Sequence, residues 1–187
     1  MIELKAATAG FLIGLGVIIN TLAANPVLGA FLFSFGLLTI IELQLPLYTG
    51  QIGFISEKKK IDLLNILLFN IIGSFFCIGF FGLKDPSFIT ILAEKAAIKF
   101  DKNYFQIFTD AFFCGTLIHF AVKCKKQLIT SMAVMIFILI GAEHCIADVP
   151  YWATSPTLIN SLKFLLVIMG NSCGAILIEN MLKKEGK

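Results

Sequence analysis

The chain contains no arginine: all fifteen basic residues are lysines. A bidentate guanidinium clamp on an anion is therefore excluded, and any basic site must be built from lysine point charges. Charge of either sign is scarce, at 14% of 187 residues, against roughly 25% in soluble domains. The five cysteines (Cys77, Cys114, Cys124, Cys145 and Cys173) show no paired spacing and lie mostly inside apolar runs. They read as reduced packing residues, not as a disulfide framework. A compact Cys/His ligand spacing is also missing, and the adjacent His144 and Cys145 would project about 100° apart on a helix, so no metal or cofactor is expected. The formal charge is only +3 and the lysines fall in short clusters, which argues against nucleic acid as a partner.

What is present is oil. Hydrophobic residues make up 58% of the chain and the mean hydropathy is +0.90, more than a soluble core can bury. At about 20 residues per crossing, the length accommodates five or six helices and no extramembrane domain. The whole chain, 1–187, is expected to be one transmembrane domain in contact with a lipid bilayer. Apolar segments fall near 7–24, 27–56, 62–83, 104–122, 127–152 and 157–182, which predicts six crossings. The N-terminal run after Lys5 is similar to a secretory signal, but the internal repeat described below argues that it is retained.

Two of the six segments are too long. The second would span roughly 45 Å as a straight helix against a core of about 30 Å, and it contains Glu42, Gln44, Pro46, Thr49 and Gly50. Proline removes a backbone donor and clashes with the preceding turn, so this crossing is expected to be two half-helices joined at depth. The fifth segment repeats the pattern with Glu143, His144, Asp148 and Pro150. Irregular backbone at that depth survives only against protein or a water-filled cavity.

Lysine clusters orient the chain. Lys58, Lys59 and Lys60, then Lys123, Lys125 and Lys126, then Lys183, Lys184 and Lys187 mark one side, which the positive-inside tendency makes cytoplasmic. Both termini are then cytoplasmic, in an inner (plasma) membrane. The joint at about 84–103, with lysines and carboxylates mixed, faces out and is expected to dip over a pore mouth.

Sliding the chain against itself by 101 positions superposes Gly14 on Gly115, Glu42 on Glu143, Asn70 on Asn171 and Gly73 on Gly174 without a gap. Repeats at about 6–83 and 104–184 would each hold three helices, so the second must be inverted. Interrupted helices at corresponding places in the two halves point to a conduction site. The fold class expected is all-α integral membrane, six helices as a 3+3 inverted repeat with the second and fifth broken. Glu42 is expected to support a half-helix, and Glu143 to orient its neighbour His144.

His144, on a broken helix beside a membrane carboxylate, can donate to an anion or exchange protons near neutral pH. Thr49 offers a hydroxyl on the other broken segment. His119 lies in a plain helix, where packing and function are equally good readings. Three alternatives remain open at this point: a neutral-solute pore, a membrane enzyme using Glu143, His144 and His119, and a non-conducting scaffold. Asn25-Pro26 faintly resembles half of a paired Asn-Pro-Ala signature, outside the broken regions.

At these residues the chain resembles the formate/nitrite transporter family. "EHCIAD" (143–148) is close to the family's Glu-His-Ser-Ile-Ala-Asn motif, "LYTG" (47–50) to its Leu-Phe-Thr loop, and "AFFCGTLIHFAV" (111–122) and "GNSCGAIL" (170–177) to its fourth and sixth helices. The resemblance implies an aquaporin-like fold, a homopentamer with one pore per protomer, and conduction of small monovalent anions or their conjugate acids, such as formate, nitrite or hydrosulfide. It maps the central histidine onto His144, its carboxylate onto Glu143 and the loop threonine onto Thr49. It maps apolar constrictions onto Phe33, Leu37, Leu47, Tyr48, Val122, Phe137 and Ala147. The family's vestibule lysine aligns one position from Lys102, with Lys99 nearby. Three positions depart from the pattern: His119 and Asp148 replace asparagines and Tyr48 replaces a phenylalanine, each adding polarity to the pore.

Overall fold

Backbone in lipid must satisfy its hydrogen bonds internally, which leaves helices or closed barrels. The computed structural model describes residues 2–57 and 59–184, the side chain of Lys184 excepted, and among them every regular element is helical. Of the topology lysines, Lys58 and Lys187 lie outside the described residues. Four helices are long and apolar enough to cross a membrane: α1 (Ile2–Leu22), α4 (Lys60–Lys84), α6 (Tyr104–Cys124) and α9 (Leu158–Lys184). Shorter ones lie between them: α2 (Pro26–Glu42), α3 (Tyr48–Gln51, extended by a 3-10 turn Ile52–Phe54), α5 (Pro86–Asp101), α7 (Gln127–Leu139) and α8 (Val149–Thr154). Helix α1 packs on α2 and α4, α6 on α7 and α9, and α2 meets α7 in the middle.

Helices α2 and α7 have 17 and 13 residues, roughly 25 and 20 Å, too short for a core of about 30 Å. Both stop in the same way. Leu45 N donates to Ile40 O and Gln44 N to Ile41 O; Ala142 N donates to Phe137 O and Gly141 N to Ile138 O. Gln44 (φ 51°) and Gly141 (φ 70°) take the left-handed conformation. This is the Schellman closure, which satisfies the last carbonyls of a helix. The structure corrects the expectation that proline makes the breaks. Pro46 follows a helix already ended, and Pro150 opens α8, nine residues beyond Gly141, where its missing N–H is harmless.

The irregular stretches that follow are buried, so their backbone groups need partners. Two asparagines supply them. Asn70, on α4, accepts from Tyr48 N at 2.8 Å and donates to Pro46 O at 3.0 Å and Ala6 O at 2.7 Å. Asn171, on α9, accepts from Cys145 N at 2.9 Å and donates to Glu143 O and Ala111 O, both at 2.8 Å. Each asparagine thus ties a turn to the first helix of its half. The approach is close enough to need glycine: a Cβ at Gly10 or Gly115 would clash with the carbonyl of Asn70 or Asn171, and one at Gly73 or Gly174 with that of Ala7 or Phe112.

These contacts do not share the single 101-residue register expected from the sequence. Asn70 matches Asn171 at a shift of 101, but the turns correspond at 97 (Tyr48 with Cys145) and the first helices at 105 (Gly10 with Gly115). Gly14 is therefore not the counterpart of Gly115, and Glu42 is not that of Glu143. Four residues are close to one helical turn, so a slip of four preserves the buried face and escapes an ungapped comparison. Glu42 itself is exposed at the end of α2, where Gln127 Nε2 donates to it at 3.1 Å.

Connecting segments gather at two ends. Lys183 pairs with Glu57 at 2.6 Å and Lys123 with Glu179 at 2.7 Å, drawing three lysine-bearing segments together. At the other end lies α5, a helix buried along Phe88, Leu92 and Ala96 and packed on α4 and α8. Asn25 caps α2 there, its Oδ1 accepting from Val27 N and Leu28 N, so the Asn-Pro pair is a helix start.

Candidate functional site

Two cavities enter the molecule from its opposite ends. The smaller, about 90 Å³, opens beside α5 and is lined by Phe33, Phe137, His144, Ala147, Asp148, Lys99 and Tyr151 among others. The larger, about 500 Å³, lies at the lysine-joint end, lined by Leu47, Gly50, Phe54, Val122, Lys123 and Lys125 with others.

Between them stand Thr49 and His144, both fully or almost fully buried. Thr49 Oγ1 lies 3.0 Å from His144 Nε2. The backbone N–H of Ala147 donates to His144 Nδ1 at 3.1 Å, so Nδ1 is an acceptor and the neutral ring carries its hydrogen on Nε2, donating to Thr49. The threonine hydroxyl hydrogen is then available to a molecule in the gap. The two side chains reach this point because Asn70 and Asn171 pull Tyr48 and Cys145, their chain neighbours, into place.

Apolar groups flank the pair on both sides. The Phe137 ring stacks on His144 with centroids 5.9 Å apart, and Phe33 meets Phe137 edge-on at 5.8 Å. Toward the other cavity, Leu47 and Val122 close in, Val122 so tightly against Gly50 that a Cβ there would lie 3.0 Å from it. Leu37 is core and lines neither cavity. Tyr48 also lines neither, its hydroxyl 2.9 Å from Ser172 Oγ on α9.

The α5-side cavity carries an alternating chain of charge. Lys99 Nζ hydrogen-bonds Glu143 and lies 3.2 Å from Asp148; Glu143 also takes Lys102 at 2.7 Å, and Lys102 takes Asp110 at 2.6 Å and Gly141 O at 2.8 Å. Burial works against the charge of Lys99, but Asp148 and Glu143 outweigh it and hold the ammonium above the ordinary lysine range. Lys102 is likewise raised, burial being overcome by Glu143 and Asp110. Glu143 bonds to these lysines and not to the His144 ring, so its link to His144 runs through the backbone that Asn171 holds. Lys99, not Lys102, reaches the cavity wall.

His119 is sealed away from both cavities. Its Nε2 lies 2.8 Å from Glu179 on α9, which also pairs with Lys123, and its ring packs on Phe54 with centroids 5.1 Å apart. Sequence reasoning favoured Lys102 over Lys99 as the cavity lysine and missed Glu179 altogether. The signal for Lys99 was there, since Lys95 and Lys99 stand four apart on one face of α5 while Lys102 lies just past its end. Glu179, a lone carboxylate inside an apolar helix, was visible as an outlier.

A family model described as "Formate/nitrite transporter" matches residues 2–183. The chain belongs to the formate/nitrite transporter family. The fold agrees with that of solved members. A structure described as "Pentameric formate channel with formate bound" superposes with a TM-score of 0.77 at 20% identity, covering 97% of this chain and 94% of that one. Another, "FNT family ion channel", gives 0.81 at 21% identity over 99% of this chain and 89% of that one. No curated protein sequence matches significantly. As a formate/nitrite transporter family member, the chain is a multi-pass membrane protein.

Proposed function

We propose that this family member is a channel for small monovalent anions or their conjugate acids, of the formate, nitrite and hydrosulfide class. One observation carries the reading: a buried Thr49–His144 pair, 3.0 Å apart, separates two cavities that open at opposite ends. Four apolar side chains guard it, Phe33 and Phe137 on one side and Leu47 and Val122 on the other. Such rings obstruct a hydrated ion, which loses water without replacement, while the hydroxyl and imidazole offer hydrogen bonds to a small oxyanion or acid that has shed its shell. Ala147 lines the same route; Leu37 and Tyr48 act from behind as packing residues.

The chain crosses the bilayer six times as a 3+3 inverted repeat, α2–α3 and α7–α8 being the broken crossings, and it assembles as a homopentamer. Support comes from the twofold recurrence of the Schellman ends and the asparagine anchors, and from the pentameric state of the similar formate channel. With both termini cytoplasmic in the plasma membrane, the 500 Å³ cavity is the inner vestibule and the α5-side cavity the outer one.

The experiment is a proteoliposome flux panel with formate, nitrite, hydrosulfide, acetate and lactate at two pH values. Flux of the small acids is expected to fall at least about tenfold in His144→Ala, the loss of one or two hydrogen bonds to a desolvated permeant. Unchanged flux and unchanged pH dependence in that variant would sink the reading.

A further inference from the structure

The turns that carry Thr49 and His144 are each tied twice, and the second set of ties crosses over. Asn70 on α4 holds the turn at 46–48, and Asn171 on α9 holds the turn at 143–145. The additional ties run the other way. Ser74, about one helical turn beyond Asn70 on α4, is fully buried and donates through Oγ to Ile146 O at 3.1 Å, two residues along the chain from His144. Tyr48, the chain neighbour of Thr49, reaches α9, where its hydroxyl lies 2.9 Å from the Oγ of Ser172, next to Asn171. A serine hydroxyl carries a single hydrogen, and that of Ser172 goes to Ile168 O at 2.7 Å. The Tyr48 O–H is therefore the donor and Ser172 the acceptor. Each turn is in this way fastened to both α4 and α9, and Thr49 and His144 stand 3.0 Å apart between the two fastenings.

We infer that Tyr48, Ser172 and Ser74 are positioning residues that fix the Thr49–His144 separation and so set the size of acid the channel passes. The inference rests on the channel reading above and concerns how that site discriminates among acids. Side-chain atoms in hydrogen-bond contact at 3.0 Å leave no room for a third group between them, so a permeant crosses only as the two turns yield. The asparagines hold each turn to one helix, and the crossed ties hold it to the other. Widening the gap strains the crossed ties first, because they span it. Lactate is larger than formate and needs more widening, so the cost of breaking a tie falls on lactate. None of the three residues lines either cavity, and their effect runs through position, not through contact with the permeant.

The test measures formate and lactate flux into the same proteoliposome preparations, corrected for protein-free vesicles, and reads their ratio. A purely structural loss lowers the amount of folded channel and both fluxes together, so it leaves the ratio at the wild-type value. In Tyr48→Phe, which removes one oxygen atom, the formate-to-lactate ratio is expected to fall about fivefold, the weight of one neutral hydrogen bond. Ser172→Ala cuts the same tie at its other end and should give the same fall, with no further fall in the double variant; either single variant reads the tie if the other folds poorly. Ser74→Ala cuts the second tie, so adding it to Tyr48→Phe should bring the fall to about twenty-fivefold, independent contributions multiplying. A wild-type ratio in Tyr48→Phe or in Ser74→Ala overturns the inference. So does a shift in Tyr48→Phe that a folded Ser172→Ala protein fails to reproduce. Formate flux persists in both outcomes, which leaves the channel reading in place. Absence of wild-type flux for every acid tested would instead overturn the channel reading, and this inference with it.

Discussion

The turns at residues 46–48 and 143–145 are held by the same device and do different work. Each follows a Schellman closure, and each is fastened by an asparagine that accepts one backbone N–H and donates to two carbonyls. The first turn is nevertheless neutral, delivering Thr49 and apolar Leu47. The second delivers His144 and is bracketed by Glu143, Asp148, Lys99 and Lys102. A shared anchoring device thus places two side chains 3.0 Å apart, while charge gathers around only the second turn. The common device explains rigidity, and the unshared residues explain chemistry.

The largest test strikes the shared device. Gly10→Ala and Gly115→Ala each drive a Cβ into the carbonyl of the neighbouring asparagine, and overpacking against backbone is worth roughly 3 kcal/mol or more. Both variants should give little folded protein in detergent, to the same extent. A variant that folds normally in one half only would show that the halves are not equivalent scaffolds.

Next come the anchors themselves. Asn70→Ala and Asn171→Ala leave three buried backbone groups each without a partner, again roughly 3 kcal/mol by the cost of an unsatisfied group. Apparent melting temperatures should fall by similar amounts. A much larger fall for Asn171→Ala would indicate that the charged turn is under tension that the neutral one lacks.

The third test sharpens the difference. Glu143, 3% exposed, holds two lysines, so Glu143→Gln removes two charge-assisted hydrogen bonds from a buried position and should cost about 2 kcal/mol or more. Exposed Glu42 makes one hydrogen bond to Gln127, and Glu42→Gln should change stability by less than about 0.5 kcal/mol. Thermal unfolding of the two variants side by side checks this, and equal losses would restore Glu42 as a true counterpart of Glu143.

The smallest effect is one of pH. Lys99 and Lys102 are raised above the ordinary lysine range, so their stabilising contribution is complete below the unfolded value near 10.4 and fades only as pH climbs through the folded value. Raising the pH from about 7 to about 9 should leave their part of the stability unchanged. A melting temperature that drops over that interval in wild type but not in Lys99→Met would contradict the sign argued for the cluster.

Particular residues show where legibility in the sequence begins and ends. The scarcity of charge and six apolar stretches established a membrane protein, since hydropathy is a sum over the local chain. His144 and Thr49 stood out because polar groups inside apolar segments need a reason. The ends of α2 and α7 were legible but misattributed, as Gln44 and Gly141 turn the chain before either proline does. The register of the two halves was not legible, because a slip of four residues keeps the same helical face. Which lysine faces the cavity was decided by the seating of α5 on α8, and the partner of His119 by the contact of α6 with α9. A long side chain reaches across several ångströms to any neighbour the fold supplies, and only tertiary packing chooses that neighbour.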